Sequence, residues 1–143
     1  MRGAWLVGVA LCTAVLGACG SPSPTKAQIE AERQWIFGHE DVEERSFDAF
    51  QALDAHLGSL KNVDCQQLAT AATDGLATPP MPIASLETLW RSWLLGLRPL
   101  ARACSEDSES KVVANVRLEV TTLGDLIQMA NRLPEELHQL EKG

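Results

Sequence analysis

The sequence lacks most of the short motifs that mark common enzyme classes. It has no Gly-rich phosphate loop and no serine in the context of a nucleophile elbow, which argues against P-loop nucleotide chemistry and α/β-hydrolase chemistry. A zinc-protease motif requires two histidines four residues apart, and no two histidines have this spacing. A carboxylate-bridged metal site in a helical bundle requires a Glu-x-x-His pair on each of two helices, and the sequence does not contain two such pairs. We therefore expect no enzymatic activity, no metal and no cofactor.

Basic residues are also scarce. The 143 residues include 12 Lys and Arg against 19 Asp and Glu, for a formal net charge of −7. A surface with this excess of negative charge repels phosphate backbones, so nucleic-acid binding is disfavoured. The same excess gives no electrostatic help in adhering to anionic lipid, so residence at a membrane would require an anchor.

No apolar run is long enough to span a membrane. The longest run, residues 4–16, has about thirteen residues, whereas a spanning helix needs about 20. A run of this length behind the positive charge of Arg2 is typical of the central region of a signal peptide. It ends in the tetrapeptide Leu16-Gly17-Ala18-Cys19.

This tetrapeptide resembles the lipobox of bacterial lipoproteins, in which an aliphatic residue and two small residues precede an obligatory cysteine. The resemblance covers about an eighth of the chain. It implies that a peptidase removes residues 1–18, and that Cys19 carries a diacylglyceryl thioether, with a further acyl chain such as palmitate on its amino group. The implied location is the cell membrane or the outer membrane, on the extracytoplasmic side.

The residues after Cys19 predict a flexible tether. Residues 19–25 are rich in glycine, serine and proline, which form neither a helix nor a central strand. Residues 26–143 then form the predicted helical domain, and the length of the chain suits one domain rather than two. Removing Arg2 with the signal peptide raises the net negative charge of the mature chain to −8.

Apolar spacing in the domain predicts an all-α fold, a small up-down bundle of about four helices. The first helical region covers about residues 26–60, with Gly38 as an interruption and Asp41 as a possible cap for a restart. The second covers 63–77, with Asn62 as the expected N-cap. The third begins near Ser85 and carries the most regular apolar stripe in the chain, formed by Leu86, Trp90, Trp93, Leu97, Leu100 and Cys104, with a kink or break expected at the internal Pro99.

The fourth region, after residue 110, allows two interpretations. An apolar stripe at helical spacing comprises Val113, Val116, Val120, Leu123, Ile127 and Ala130. Residues 116–120 also alternate as a strand would, which leaves residues 112–121 open between helix and strand. A helix is favoured because a single strand would have no partner, and Pro134 is expected to end or kink that helix.

Two cysteines remain for disulfide formation after Cys12 is removed and Cys19 is lipidated. Cys65 opens the second helix and Cys104 closes the third, so antiparallel packing would bring both to one end of the bundle. Export to an oxidising compartment favours a Cys65–Cys104 disulfide. The absence of a C-x-x-C motif argues against a redox or metal role for the pair.

Two further groups of residues are candidates for a functional role. Residues 39–44 combine His39 with four acidic residues, but they are better explained as a solvated acidic helix start than as a metal site. Trp90 and Trp93 share one helix face, which either belongs to the core or lines a groove for an apolar ligand or a partner.

The leading hypothesis from the sequence is a lipid-anchored envelope protein with a non-enzymatic helical domain. That domain would bind or scaffold another envelope component. The alternative is a carrier that holds a small apolar ligand or lipid in the bundle interior, near Trp90 and Trp93. A third hypothesis is an enzyme whose functional residues come from distant positions.

Overall fold

A computed structural model describes residues 23–143, in which every regular element is helical. The predicted signal peptide, Cys19 and the tether up to residue 22 lie outside these residues. The described chain contains five α-helices and a short 3₁₀ turn at Leu60–Asn62. The α-helices are α1 (Lys26–Gly38), α2 (Glu40–Ala55), α3 (Cys65–Leu76), α4 (Ala84–Ser105) and α5 (Glu109–Lys142).

The predicted first helical region is two helices, so the expected total of four was too low by one. Thr25 caps α1 through a complete capping box with Gln28. The helix ends at Gly38, where the His39 ring nitrogen Nδ1 donates to the Trp35 carbonyl at 2.8 Å. His39 then precedes α2 without a side-chain cap, and Asp41 lies inside the first turn rather than capping it. The interruption expected at Gly38 is therefore confirmed. The prediction that Asp41 caps the restarted helix is wrong, because the N-cap position of α2 is His39.

Helices α3 and α4 form an antiparallel hairpin closed by the Cys65–Cys104 disulfide. The two Cα atoms are 5.7 Å apart, within the usual range for a bridge. Ten residues further along α3, Gly75 lies against Leu94, which is ten residues back along α4. A Cβ at position 75 would lie 2.7 Å from the Leu94 side chain, so glycine permits the close approach of the two helices. The cap of α3 is Asp64, which accepts from the Gln66 amide, and not Asn62.

Helix α4 supplies the centre of the core. All six residues of the predicted stripe, from Leu86 to Cys104, are buried. The helix starts at Ala84 after the N-cap Ile83, so Ser85 is not its cap. It continues through Pro99, which is exposed, so the carbonyl left without an amide donor is on the solvent side. Of the kink or break expected at Pro99, the break is therefore wrong.

Helix α5 settles the choice left open for residues 112–121 in favour of a helix. It has 34 residues and is about 51 Å long, and Pro134 does not end it. The buried face of α5 is not the one that the predicted stripe marked, because Val120 and Ile127 of that stripe are 51 % and 45 % exposed. The buried row is instead Val112, Val116, Glu119, Leu126, Leu133 and Leu137.

Helices α1 and α2 lie end to end and run antiparallel to α5. Lys26 Nζ approaches Glu141 Oε1 at 3.8 Å at one end, and the Gly58 amide donates to Glu109 at the other. The α3–α4 hairpin packs against this frame, with α4 against α5 and α3 against α2. Among the described residues, no helix combines the length and apolar character needed to cross a membrane.

Candidate functional site

The tryptophans singled out in the sequence are core residues. Trp90 and Trp93 are almost completely buried, and their rings lie 5.7 Å apart. Trp93 also contacts Phe47 and Phe50 of α2, and Trp90 meets Trp35 of α1 edge to face. Neither Trp90 nor Trp93 lines any of the described clefts, and neither indole N–H has a hydrogen-bond partner among residues 23–143.

A different site lies where α1 gives way to α2, opposite the middle of α5. It is a partly open cleft of about 170 Å³. An engineered apolar cavity of about 150 Å³ holds benzene, so this volume suits a small organic molecule. The lining comes from α1, α2, α4, α5 and the loop before α4: Glu32, Ile36, Glu43, Phe47, Met81, Leu86, Leu126, Ile127, Ala130 and Asn131.

Glu32 is the buried carboxyl of this cleft. Its side chain has no exposed surface, and its Oε2 accepts from the Ile83 amide at 2.8 Å. The residue thereby caps the start of α4 from another helix. Its Oε1 has no hydrogen-bond partner among the described residues. Burial raises the pKa of Glu32, and the nearby Glu87 carboxylate raises it further, against the lowering effect of the Ile83 bond.

Glu43 is the second carboxyl of the cleft and is half-buried on α2. Burial raises its pKa to about 7, and repulsion from Glu32 acts in the same direction, partly offset by His39. Two like charges in an apolar cleft favour retention of a proton. We therefore expect the pair to hold a proton near neutral pH when nothing else occupies the cleft.

The junction between α1 and α2 is braced beside the cleft. The Trp35 indole N–H donates to the Pro79 carbonyl at 2.8 Å, which fixes α1 to the loop before α4. The His39 ring lies over the Trp35 ring, with centroids 4.4 Å apart. These contacts hold Glu32 and Glu43, on either side of the junction, in the same cleft.

A third buried carboxyl lies outside the cleft. Glu119 of α5 is 4 % exposed and faces Gly96 of α4. Burial raises its pKa to about 7, and its Oε2 has no hydrogen-bond partner within residues 23–143. Its position between two helices makes it a structural residue of the α4–α5 interface rather than a ligand contact.

Residues 23–143 contain no group of three or more His, Cys, Asp and Glu side chains that could hold a metal ion. His39 and His56 each donate from Nδ1 to a helix carbonyl four residues earlier, at 2.8 Å. These two histidines thus satisfy orphan carbonyls at the ends of α1 and α2.

The sequence contained a signal for Glu32 that was missed. Ile29, Glu32 and Ile36 follow at steps of three and four, so the glutamate lies on the apolar face of α1. A carboxyl on such a face must find a partner or keep its proton. The signal for Glu43 is similar, because Phe47 and Phe50 continue its row.

The chain matches no protein-family model, and no curated protein or solved structure is significantly similar to it.

Proposed function

We propose that this protein is a lipid-anchored envelope protein whose helical domain binds a small organic ligand in the cleft between α1, α2, α4 and α5. The domain is not an enzyme in this proposal. The supporting observation is the combination of mostly apolar walls with Glu32, a fully buried carboxyl whose Oε1 is unpartnered. Sites for small molecules are typically apolar with a few placed polar groups.

The anchor in this proposal is the lipid on Cys19. Two or three acyl chains hold a protein at a bilayer far better than one, at about 0.8 kcal/mol per buried CH₂. The residues between Cys19 and α1 would then allow the domain to stand clear of the bilayer. An acidic protein can remain at a membrane in this way without electrostatic attraction to lipid.

Ligand binding can be tested by filling the cleft. Ala130 lines it, whereas Ala114 lies on the exposed face of the same helix. We expect small aromatic and alkyl compounds to shift the NMR signals of cleft residues in the parent protein and in Ala114→Phe. In Ala130→Phe, the added ring should abolish these shifts. Equal binding by the Ala130→Phe variant would refute the cleft as the site.

The anchor can be tested separately. Labelled palmitate should be incorporated into the parent protein and into Cys12→Ser, and the protein should fractionate with membranes. Cys19→Ser should lose both the label and the membrane association. Label retained by Cys19→Ser would contradict anchoring at this residue.

A second candidate function is the scaffolding of another envelope protein. Val113, Val120 and Ile127 are seven residues apart on α5, and the last two are about half exposed. Apolar residues at this spacing form the seam of a coiled coil, so the corresponding partner would present an amphipathic helix.

A photo-crosslinking residue tests this candidate in intact cells. Placed at Val120, it should join one defined protein to the chain. Placed at the exposed Asp125, on another face of the same helix, it should not. The same set of products from both positions would exclude a specific docking row.

A further inference from the structure

The charge inside the cleft restricts the kind of ligand that it can hold. Within the described part of the chain, the carboxyls that line it are those of Glu32 and Glu43, and the one other polar lining residue is Asn131. Both side chains line the same cleft of about 170 Å³, and repulsion from Glu32 is one of the causes that raise the pKa of Glu43. No basic side chain of residues 23–143 lines the cleft, so the negative charge in it has no partner among them.

We propose that the cleft binds a small primary amine, with the ammonium group between the carboxylates of Glu32 and Glu43 and the apolar chain against Phe47 and Leu126. This inference deepens the proposed function and rests on it. The unpartnered Oε1 of Glu32 provides one acceptor, and the half-buried Glu43 carboxylate that lines the same cleft provides the other.

The ammonium group fits these carboxyls better than the alternatives. It carries three N–H donors, enough to reach both carboxylates at once. A carboxylate or phosphate ligand would add a third negative charge to an apolar cleft. A divalent cation such as Ca²⁺ prefers six to eight oxygen ligands, and two carboxyls and one amide would leave several of these positions to water in a mostly apolar cleft. The net negative charge of the chain also attracts cations and repels anions.

Binding of the amine should displace a proton. The titratable groups that act on Glu32 and Glu43 are Glu40 and His39 at the start of α2, together with Glu87 on α4. Glu87 is ion-paired with Arg91, and α5 contributes no titratable side chain to the lining. As the pH falls, protons compete with the ammonium for the two carboxyls, so the affinity for the amine should fall.

The test uses three ligands of equal chain length and different charge. They are n-hexylammonium, 1-hexanol and hexanoate, each titrated calorimetrically at pH 8 and pH 6. The protein is the lipid-free chain from residue 20 onward, which contains every described helix, the disulfide and the whole described core. Circular dichroism and a cooperative unfolding transition verify that it is folded.

The variants separate charge from packing. Glu43→Gln removes one charge at a half-buried position, and Glu44→Gln removes one at the exposed neighbouring position as the matched control. Glu32→Gln retains an oxygen for the Ile83 amide. If Glu32→Gln fails to fold, the comparison of hexylammonium affinity between Glu43→Gln and Glu44→Gln decides the test. Charge-assisted hydrogen bonds predict about a tenfold to hundredfold loss of hexylammonium affinity for Glu43→Gln and none for Glu44→Gln.

The outcomes distinguish the inference from the proposed function. Hexylammonium bound at least tenfold more tightly than hexanol, with weaker binding at pH 6 and in Glu43→Gln, supports the inference. Equal or tighter binding of hexanol or hexanoate overturns the amine and leaves ligand binding in place. Binding of none of the three ligands overturns both.

Discussion

The carboxyl group of Glu119 on α5 fills the space that a Cβ would occupy at Gly96 on α4. Any other residue at position 96 would force the Glu119 side chain out of its place. At this point the contact between α4 and α5 is formed by a glycine and a glutamate. The other buried residues of α5 are all apolar.

The first prediction concerns this pair. Gly96→Ala should lower the free energy of unfolding by about 1–3 kcal/mol, because overpacking displaces the Glu119 carboxyl. In a Glu119→Ala background the same change should be neutral or stabilising, since alanine has the higher helix propensity by about 1 kcal/mol. Denaturant unfolding of the four proteins measures the coupling. Additive effects of the two substitutions would contradict the contact.

The second prediction concerns the pH dependence of stability. Burial raises the pKa of Glu119 from 4.5 to about 7, so the folded protein holds a proton that the unfolded chain releases between these values. Its contribution is fully favourable below pH 4.5 and is lost as the pH rises through 7. The shift corresponds to about 3 kcal/mol.

The Glu119→Gln variant isolates this contribution. Between pH 5 and pH 8, the parent protein should lose about 3 kcal/mol more stability than Glu119→Gln, measured by urea unfolding. Glu135→Gln, at an exposed position on the same helix, should follow the parent. Parallel curves for the parent and Glu119→Gln would rule out the raised pKa.

The third prediction concerns the disulfide. The bridge joins residues 39 apart, and the chain-entropy treatment assigns about 4 kcal/mol to a loop of that size. Cys65→Ala/Cys104→Ala should lose about 2–5 kcal/mol in guanidinium unfolding. Dithiothreitol should destabilise the parent protein by a similar amount and leave the double variant unchanged. Equal stability of the oxidised and reduced parent would count against a stabilising bridge.

The fourth prediction concerns the buried tryptophan pair. Trp93 has no exposed surface, so Trp93→Ala should cost about 3–5 kcal/mol in the free energy of unfolding. Phe37 is 71 % exposed, and Phe37→Ala should change stability by less than about 0.5 kcal/mol. An effect of Trp93→Ala as small as that of Phe37→Ala would contradict the packing of Trp93 in the core.

Much of the fold follows from apolar spacing alone. The stripe of α4 was predicted completely, because three- and four-residue steps continue without interruption from Leu86 to Cys104. The disulfide is confirmed for a related reason, since antiparallel packing of two neighbouring helices brings their opposite ends together. In both cases the decisive geometry is local or joins adjacent elements.

The errors occurred where tertiary contacts decide the outcome. The buried face of α5 is rotated from the predicted stripe, because α4 places Gly96 opposite Glu119 and admits a carboxyl into the interface. The cleft was not predicted, because its lining comes from four helices and a loop. The prediction of lipid on Cys19 remains a prediction, since that residue lies outside the described part of the chain.

The lining residues of the cleft differ in whether they belong to the loop that the Cys65–Cys104 disulfide closes. Met81 and Leu86 lie within the loop that the bridge closes, whereas Glu32 and Glu43 precede it and Leu126 follows it. Opening of the outer helices would thus disperse the cleft while the hairpin stayed crosslinked. A ligand in the cleft would contact the helices before and after this loop as well as the disulfide-linked α3–α4 hairpin. A bound ligand should therefore slow hydrogen exchange in α1 and α5 together.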